Sequence, residues 1–255
     1  IDSRDVKKEN LFLAIKGKNN DGNKFIPNAI KKGAKLIAST NVKSKSKKKF
    51  LNIKNPFSFL NNYAKLKRDD SSANIIAITG SAGKTSLKNM VHQILSNYDK
   101  TYASPKSFNN HFGVPISLSN LDLSHRYGVF EVGMSKTGEI DKLSKLLRPH
   151  LAIITNIAEA HIENFKNLKG IAKAKAEIIK NITDNGTVIL NRDDKFYHYL
   201  KKKAQLNKIK VTSFGKSKFA DIRLLKIKKN YNQTKAFISI EEKKYQLQIN
   251  DNNIY

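Results

Sequence analysis

Short apolar runs recur through most of the chain, at residues 75–79 (IIAIT), 127–133 (YGVFEVG), 151–157 (LAIITNI) and 187–191 (TVILN). Between them lie stretches with helical spacing of apolar positions, at residues 84–96, 139–147, 168–182 and 195–203. Unbroken apolar strands alternating with amphipathic helices predict an α/β domain built on a mostly parallel sheet covered on both faces. Ligands of such sheets sit beyond the carboxyl ends of the strands. Ahead of this region, LFLAI at residues 11–15 predicts a strand, and FIPNAIKKGAKLIAS at residues 25–39 predicts a helix, a stop at Gly33 and a second strand. The polar stretch KLKRDDSSAN, residues 65–74, reads as a linker, so the expected domains are 1–70, a small α/β unit, and 71–255. From residue 220 onward apolar and polar residues alternate, which predicts an extension of two or three antiparallel strands.

Composition narrows the function classes. With 255 residues and 39% apolar content the chain can fill a core. It contains no apolar run long enough to span a bilayer and no charged-then-apolar leader, so neither a membrane span nor export is expected. The chain begins IDSRD without a Met, so a few residues or a processed segment are expected to precede it. The absence of cysteine excludes disulfides, thiolate catalysis and Cys-zinc sites, and is in keeping with a cytoplasmic protein. Lys and Arg total 48 against 21 Asp and Glu, a formal charge of +27. Such an excess suits a nucleic-acid binder, but the lysines run from end to end. Only residues 43–49, KSKSKKK, cluster, and no RNP-like or helix-turn-helix pattern accompanies them. The expected partners are anionic small molecules drawn in by the field, not nucleic acid.

The segment AITGSAGKTSLKN carries the strongest chemistry. A strand ending at Thr79 is followed by Gly80, Ser81, Gly83, Lys84, Thr85 and Ser86 and then by a helix. This is the strand-loop-helix context of a phosphate-binding loop: glycines let backbone N–H groups turn to the phosphates, and the helix N-terminus adds partial positive charge. Lys84 can reach the β- and γ-phosphates, and the Thr85 hydroxyl can bind magnesium. The spacing is the shorter GxxGKT form, and by itself it does not separate kinase, GTPase, helicase and ligase. Glu131, at the end of a strand, can hold magnesium opposite Thr85; a solvated strand-end acid accounts for it equally when it is taken alone. Asn156 and His161 follow another strand end, at the same sheet edge as the loop. Lys175 falls in the middle of an apolar stripe made by Leu168, Ile171, Ala172, Ile178 and Ile179. An inward lysine must pair, run its stem out to water, or lower its pKa and lose its charge.

Several further segments, in one order along nearly the whole chain, resemble the Mur ligases: DSRDVKKENLFLAIKGKNNDGNKFIPNAIKKGA, ITGSAGKTSLKNM, SFNNHFGVPISL, EVGMSKTGEIDKL, PHLAIITNIAEAHIENF, IAKAKAEI and VILNRDD. Within that family NNHFGVP, TGEI and AHIENF are similar to the member that adds D-alanyl-D-alanine to UDP-N-acetylmuramoyl-tripeptide, while the DSR pattern is shared with the tripeptide-forming member. The resemblance implies an ATP-dependent, magnesium-requiring ligase of peptidoglycan precursor synthesis that works through an acyl phosphate, as a monomer. It implies that Lys84 and Thr85 handle the ATP phosphates, that Glu131 and His161 are magnesium ligands, and that Lys175 is carbamylated into a carboxylate-like ligand. It also implies Asn156 near the triphosphate, Asn191 against the adenine, and Asn109 and Asn110 on the acceptor side. Ser3, Arg4, Lys16 and Asp21 would hold the UDP end of the muramyl substrate. Where the family often has Asp-Gly-His, this chain has Asp21, Gly22 and Asn23. A third domain of the family would begin after Tyr255. Other readings are the tripeptide-forming ligase and a basic P-loop protein that works on nucleic acid.

Overall fold

The computed structural model describes residues 2–17, 20–40, 49–159, 162–230 and 233–250. The chain divides into two compact units, Ile1–Tyr63 and Ala64–Tyr255. Most of the lysine cluster at 43–49 lies outside the described residues, as does His161.

In the first unit β1 (Leu11–Leu13), β2 (Leu36–Ser39) and β3 (Phe50–Asn52) form a parallel sheet in that order, with α1 (Ile26–Lys31) between the first two. Phe12, Ala14, Ala29, Ala34 and Ile37 make its core. Gly33 ends the helix segment with φ +90°, a conformation that favours glycine. The helix α2 (Pro56–Asp70) spans the boundary between the units. Residues 65–70, expected as linker, are therefore helical, and only 71–73 connect α2 to the next strand. Their polar composition conceals a buried guanidinium. Arg68, 6% exposed, donates to the carbonyls of Leu147 (2.6 Å), Arg148 (2.9 Å) and Ser71 (3.3 Å), which satisfies main-chain acceptors at the end of a later helix.

The second unit contains β4 (Asn74–Thr79), α3 (Lys84–Ser96), β5 (Thr101–Ala103), α4 (Gly113–Ser119), β6 (Tyr127–Glu131), α5 (Glu139–Leu147), β7 (Leu151–Ile154), α6 (Leu168–Ala176), β8 (Thr187–Asn191), α7 (Tyr197–Leu206) and β9 (Lys210–Gly215). An antiparallel extension follows: β10 (Ile222–Asn230), β11 (Gln233–Ile240) and β12 (Lys243–Asn250). One sheet joins all nine strands in the order β12-β11-β10-β9-β8-β7-β4-β6-β5, parallel from β5 to β10 and antiparallel beyond. The expected helix over 168–182 ends at Ala176 and tightens into a 3-10 turn over Glu177–Asn181.

The alternation within β4 explains why the sheet is covered on both sides. Ile75 and Ala77 point into the larger core with Phe130, Ile140, Leu147 and Ile171, whereas Ile76 and Ile78 pack with Val129 and Ile153 beneath Leu87, Val91 and Leu95 of α3. Order matters more than content here. β4 lies between β6 and β7, so the chain leaves it toward one side of the sheet and later returns on the other. The carboxyl end of β4 is thus the switch point at which a crevice opens. Register puts Ile78 beside Glu131 and Thr79 beside Ile154. Among the described residues no helix is long and apolar enough to cross a membrane.

Candidate active site

The loop after β4 contains two positions whose backbone favours glycine. Gly80 has φ +149°, and a Cβ there would lie 1.8 Å from Thr155 Oγ1. Gly83, at φ +79°, caps α3, and a Cβ there would meet nothing within 4 Å, so the space over the helix start is open. The first-turn N–H groups of α3, including those of Thr85 and Ser86, have no acceptor within their own helix and face outward as an anion site.

The loop is held from β7. Asn156 Oδ1 accepts from Ser81 N (3.1 Å) and Ala82 N (2.9 Å), Thr155 Oγ1 donates to Ala82 O (2.6 Å), and Ser81 Oγ donates to Ala158 O (2.8 Å). Asn156 in turn sits one residue before Ile157, whose N–H is taken by Asp194 Oδ2 at 2.7 Å. Lys84 folds back over the loop and donates to Gly80 O at 2.9 Å. Burial pushes its pKa below the ordinary lysine value, opposed by the Glu131 charge.

Across the loop, Glu131 is 1% exposed. Its Oε2 accepts from Thr85 Oγ1 at 2.7 Å and its Oε1 from Asn109 Nδ2 at 2.7 Å. Among the described residues no cation lies within ion-pair distance of it. A buried carboxylate held only by neutral donors, with a hydroxyl against one oxygen, is a donor set of hard oxygens suited to magnesium. Lys175 is 4% exposed, and no hydrogen bond or ion pair of its amine is found among the described residues. Its pKa is lowered to about 7, first by burial and then by the charge of Lys84. Gly80, Lys84, Asn109, Gly133, Glu139 and Lys175 line one cleft of about 410 Å³. Among the described residues no group of three or more His, Asp or Glu converges on a point.

Other expected site residues stand as follows. Asn110 lines the same cleft, and its Oδ1 accepts from Phe112 N (3.1 Å) and Gly113 N (2.9 Å), which starts α4. Asn191, at the end of β8, accepts from Asp193 N at 2.9 Å. In the first unit Ser3 is buried and accepts from Asn28 Nδ2 at 3.2 Å, while exposed Arg4 pairs with Asp2 at 2.7 Å. The backbones of Lys16 and Asp21 pair in an isolated antiparallel β-bridge, and Asp21 Oδ1 accepts from Asn23 N at 2.9 Å. Asn23, which stands in the place of the family's histidine, accepts from Ser39 Oγ at 2.6 Å.

Sequence reasoning passed over three residues. Asp194 braces the loop after β7. Glu177, on the 3-10 turn after Lys175, accepts from Gly138 N (2.8 Å) and Asp141 N (3.1 Å) at the start of α5. Lys88, on α3, is 2% exposed. Only Lys88 left a usable trace in the sequence, since it follows Lys84 by four residues and sits beside the apolar stripe of Leu87 and Val91.

Most of the chain is similar to known proteins. Residues 78–251 match the Mur ligase middle domain, and residues 1–66 match the Mur ligase family catalytic domain. The chain belongs to the Mur ligase family. This Mur ligase is 41% identical over 227 residues to the UDP-N-acetylmuramoyl-tripeptide–D-alanyl-D-alanine ligase of Rickettsia prowazekii, covering 88% of this chain and 50% of the relative. It is 33% identical over 195 residues to the Bacillus subtilis protein of the same name, covering 76% and 43%. Its fold is similar to that of MurF from Acinetobacter baumannii, with TM-score 0.84, 28% identity, and coverage of 98% of this chain and 54% of that one. It is also similar to MurF from Thermotoga maritima in complex with ADP, with TM-score 0.81, 27% identity, and coverage of 97% and 56%. The chain spans about half the length of the curated relatives it matches.

Proposed function

We propose that this Mur ligase, as the whole protein, binds ATP and joins D-alanyl-D-alanine to UDP-N-acetylmuramoyl-tripeptide in the cytoplasm, as a monomer. The observation that carries the reading is that Lys84 and the buried Lys175 line one cleft at the switch point of the sheet, while Thr85, next to Lys84, donates to the buried carboxylate of Glu131. The names of its relatives supply the substrates.

The terminal carboxylate of the tripeptide attacks the γ-phosphorus of ATP, ADP leaves, and an acyl phosphate forms. The neutral amine of D-alanyl-D-alanine then attacks the carbonyl carbon. The tetrahedral adduct expels phosphate with one of the former carboxylate oxygens, and the nitrogen loses its proton as the amide forms. Such transfers need positioning and charge neutralisation more than covalent help from the protein. Lys84 exchanges its contact with Gly80 O for the γ-phosphoryl oxygens, and the first turn of α3 holds the inner phosphates. Asn156 occupies the N–H groups of Ser81 and Ala82 and so keeps the loop in shape before nucleotide arrives.

Thr85, Glu131, His161 and Lys175 would hold magnesium, which when bound offsets the charge that develops between the β- and γ-phosphates. Lys175 is suited to that set only as a carbamate. Its neutral amine attacks the carbon of carbon dioxide and loses a proton, replacing a cation by an anion where a metal ligand is wanted. In the first unit Ser3, Arg4, Lys16 and Asp21 would receive the uridine diphosphate end, and Asn191 the adenine. Asn109 and Asn110 face the amine side.

The test is phosphate release by the full-length protein with ATP and UDP-N-acetylmuramoyl-tripeptide. Release that requires D-alanyl-D-alanine is the expected result. Release driven instead by a diamino acid on the dipeptide substrate, or by DNA or RNA, would replace this reading.

A further inference from the structure

The proposed chemistry makes no use of Lys88, yet this is among the most deeply buried charged groups in the chain. It lies one turn beyond Lys84 on α3, so both amines leave the same face of the helix. Their heads diverge: Lys84 turns onto the phosphate loop, and Lys88 turns toward the segment that follows β5. A lysine that is 2% exposed needs strong compensation. It finds it in two main-chain carbonyls, Ser104 O at 2.7 Å and Lys106 O at 2.6 Å. Bonds from a charged donor are about twice as strong as neutral ones. Burial pushes the Lys88 pKa below its ordinary value, and the charge of Glu131 pulls it back.

These two carbonyls belong to a stretch without regular structure that runs to the start of α4 and carries Asn109, Asn110 and His111 into the wall of the cleft. Lys106 has φ +48°, a left-handed conformation that a lysine does not favour unless it is held there. Ser104, 1% exposed, accepts from Glu131 N at 3.2 Å through Oγ, and Asn109 donates to Glu131 Oε1 at 2.7 Å. Asn109 O also accepts from Gly133 N at 2.8 Å, and a Cβ on Gly133 would come within 2.9 Å of the Asn109 side chain. Asn109, toward the far end, is thus tied to β6 and Gly133; at the near end Ser104 is tied to β6, its N–H donating to Val129 O at 2.9 Å, and Lys88 adds the bond that reaches on to Lys106.

We propose that Lys88 is a positioning residue for the amine side of the cleft: by fixing the carbonyls of Ser104 and Lys106 it sets where Asn109 and Asn110 stand relative to Glu131. The inference rests on the ligase reading above, in which those asparagines face the amine. It separates two effects that a general loss of stability would not separate. The phosphate loop is held by Asn156 and Thr155 from β7, without Lys88, so nucleotide binding should survive while the amine site loosens.

The experiment compares full-length wild type with Lys88→Met, nearly equal in length and without donors, and with Lys88→Arg, which keeps charge and donors. Nucleotide Kd is read by fluorescence titration with a labelled ATP, and KM and kcat are read from phosphate release with varied D-alanyl-D-alanine. For Lys88→Met the expected result is a KM for the dipeptide raised by about 10-fold or more, with nucleotide Kd within about threefold of wild type. Lys88→Arg recovers at least part of that KM; should Lys88→Met fail to fold, Lys88→Gln, shorter and without the charge, is read in its place, with the same expected rise in dipeptide KM at a nucleotide Kd within about threefold of wild type. An unchanged dipeptide KM alongside a lowered Tm would reduce Lys88 to a structural lysine and overturn the proposal, as would an equal loss of nucleotide affinity. Wild type that ignores the dipeptide would overturn the ligase reading itself, and the inference with it.

Discussion

Full-length enzyme carrying Lys84→Met is expected to release phosphate about 10²–10³-fold more slowly than wild type at saturating ATP, the range seen when one preorganised donor to a developing anion is removed. Lys84 is the only described cation whose amine lies against the carbonyls of the loop itself, 2.9 Å from Gly80 O and 3.5 Å from Ser81 O. Its position at the start of α3 brings it over the open space beside Gly83. Methionine matches the stem and deletes the charge. The loop should keep its shape, because Asn156 and Thr155 hold it independently. Stopped-flow phosphate detection with matched Tm measurements checks this. A variant that melts like wild type and turns over like wild type would remove Lys84 from the reaction.

The second large effect concerns Lys175. With a pKa of about 7, roughly half of its amine is neutral at pH 7, compared with about three parts in ten thousand for an ordinary lysine. The neutral form is the one that combines with carbon dioxide. Labelled bicarbonate should therefore give a single carbamate signal by carbon-13 NMR that grows as pH rises through about 7, and Lys175→Met should abolish it. The same substitution should lower kcat by about 10²-fold or more, the cost of taking one ligand from the magnesium set proposed above.

Stability should move in the opposite sense. In the unmodified protein the folded state releases the Lys175 proton near pH 7, while the unfolded chain keeps it to about 10.5. The unfolded state thus binds more protons within that window, and stability rises with pH across it. Below pH 7 the buried ammonium is a full penalty. Lys175→Met at pH 6 in carbon-dioxide-free buffer should accordingly melt higher than unmodified wild type, and the difference should shrink toward pH 9. A variant that is less stable at pH 6 and shows no change in kcat would contradict the account of this residue.

Much of this was readable from the residues. The runs at β4, β6, β7 and β8 are apolar on both faces because the sheet is covered on both, and the GxxGKT segment follows the central one. Lys175 stood in an apolar stripe, and it is 4% exposed. Other elements left little trace. The strand β5 has three half-buried residues, too few for any period, and α4 begins at a glycine and carries Pro115. The end of α2 looked like a linker because Arg68 serves distant carbonyls of Leu147 and Arg148, nearly eighty residues away, rather than water. Glu131 was ambiguous for the same reason. Its partners Thr85 and Asn109 lie 46 and 22 residues earlier, and only the order of β4, β6 and β7 in the sheet brings them together.

The central claim is that the cleft activates a carboxylate by phosphorylation and then forms an amide. Its most direct test uses UDP-N-acetylmuramoyl-tripeptide with both oxygens of the terminal carboxylate replaced by oxygen-18, the full-length enzyme, ATP and D-alanyl-D-alanine. Mass analysis of the products should find one heavy oxygen in each released phosphate and the other in the new amide carbonyl. Phosphate free of label, with both heavy oxygens still on the peptide, would contradict it.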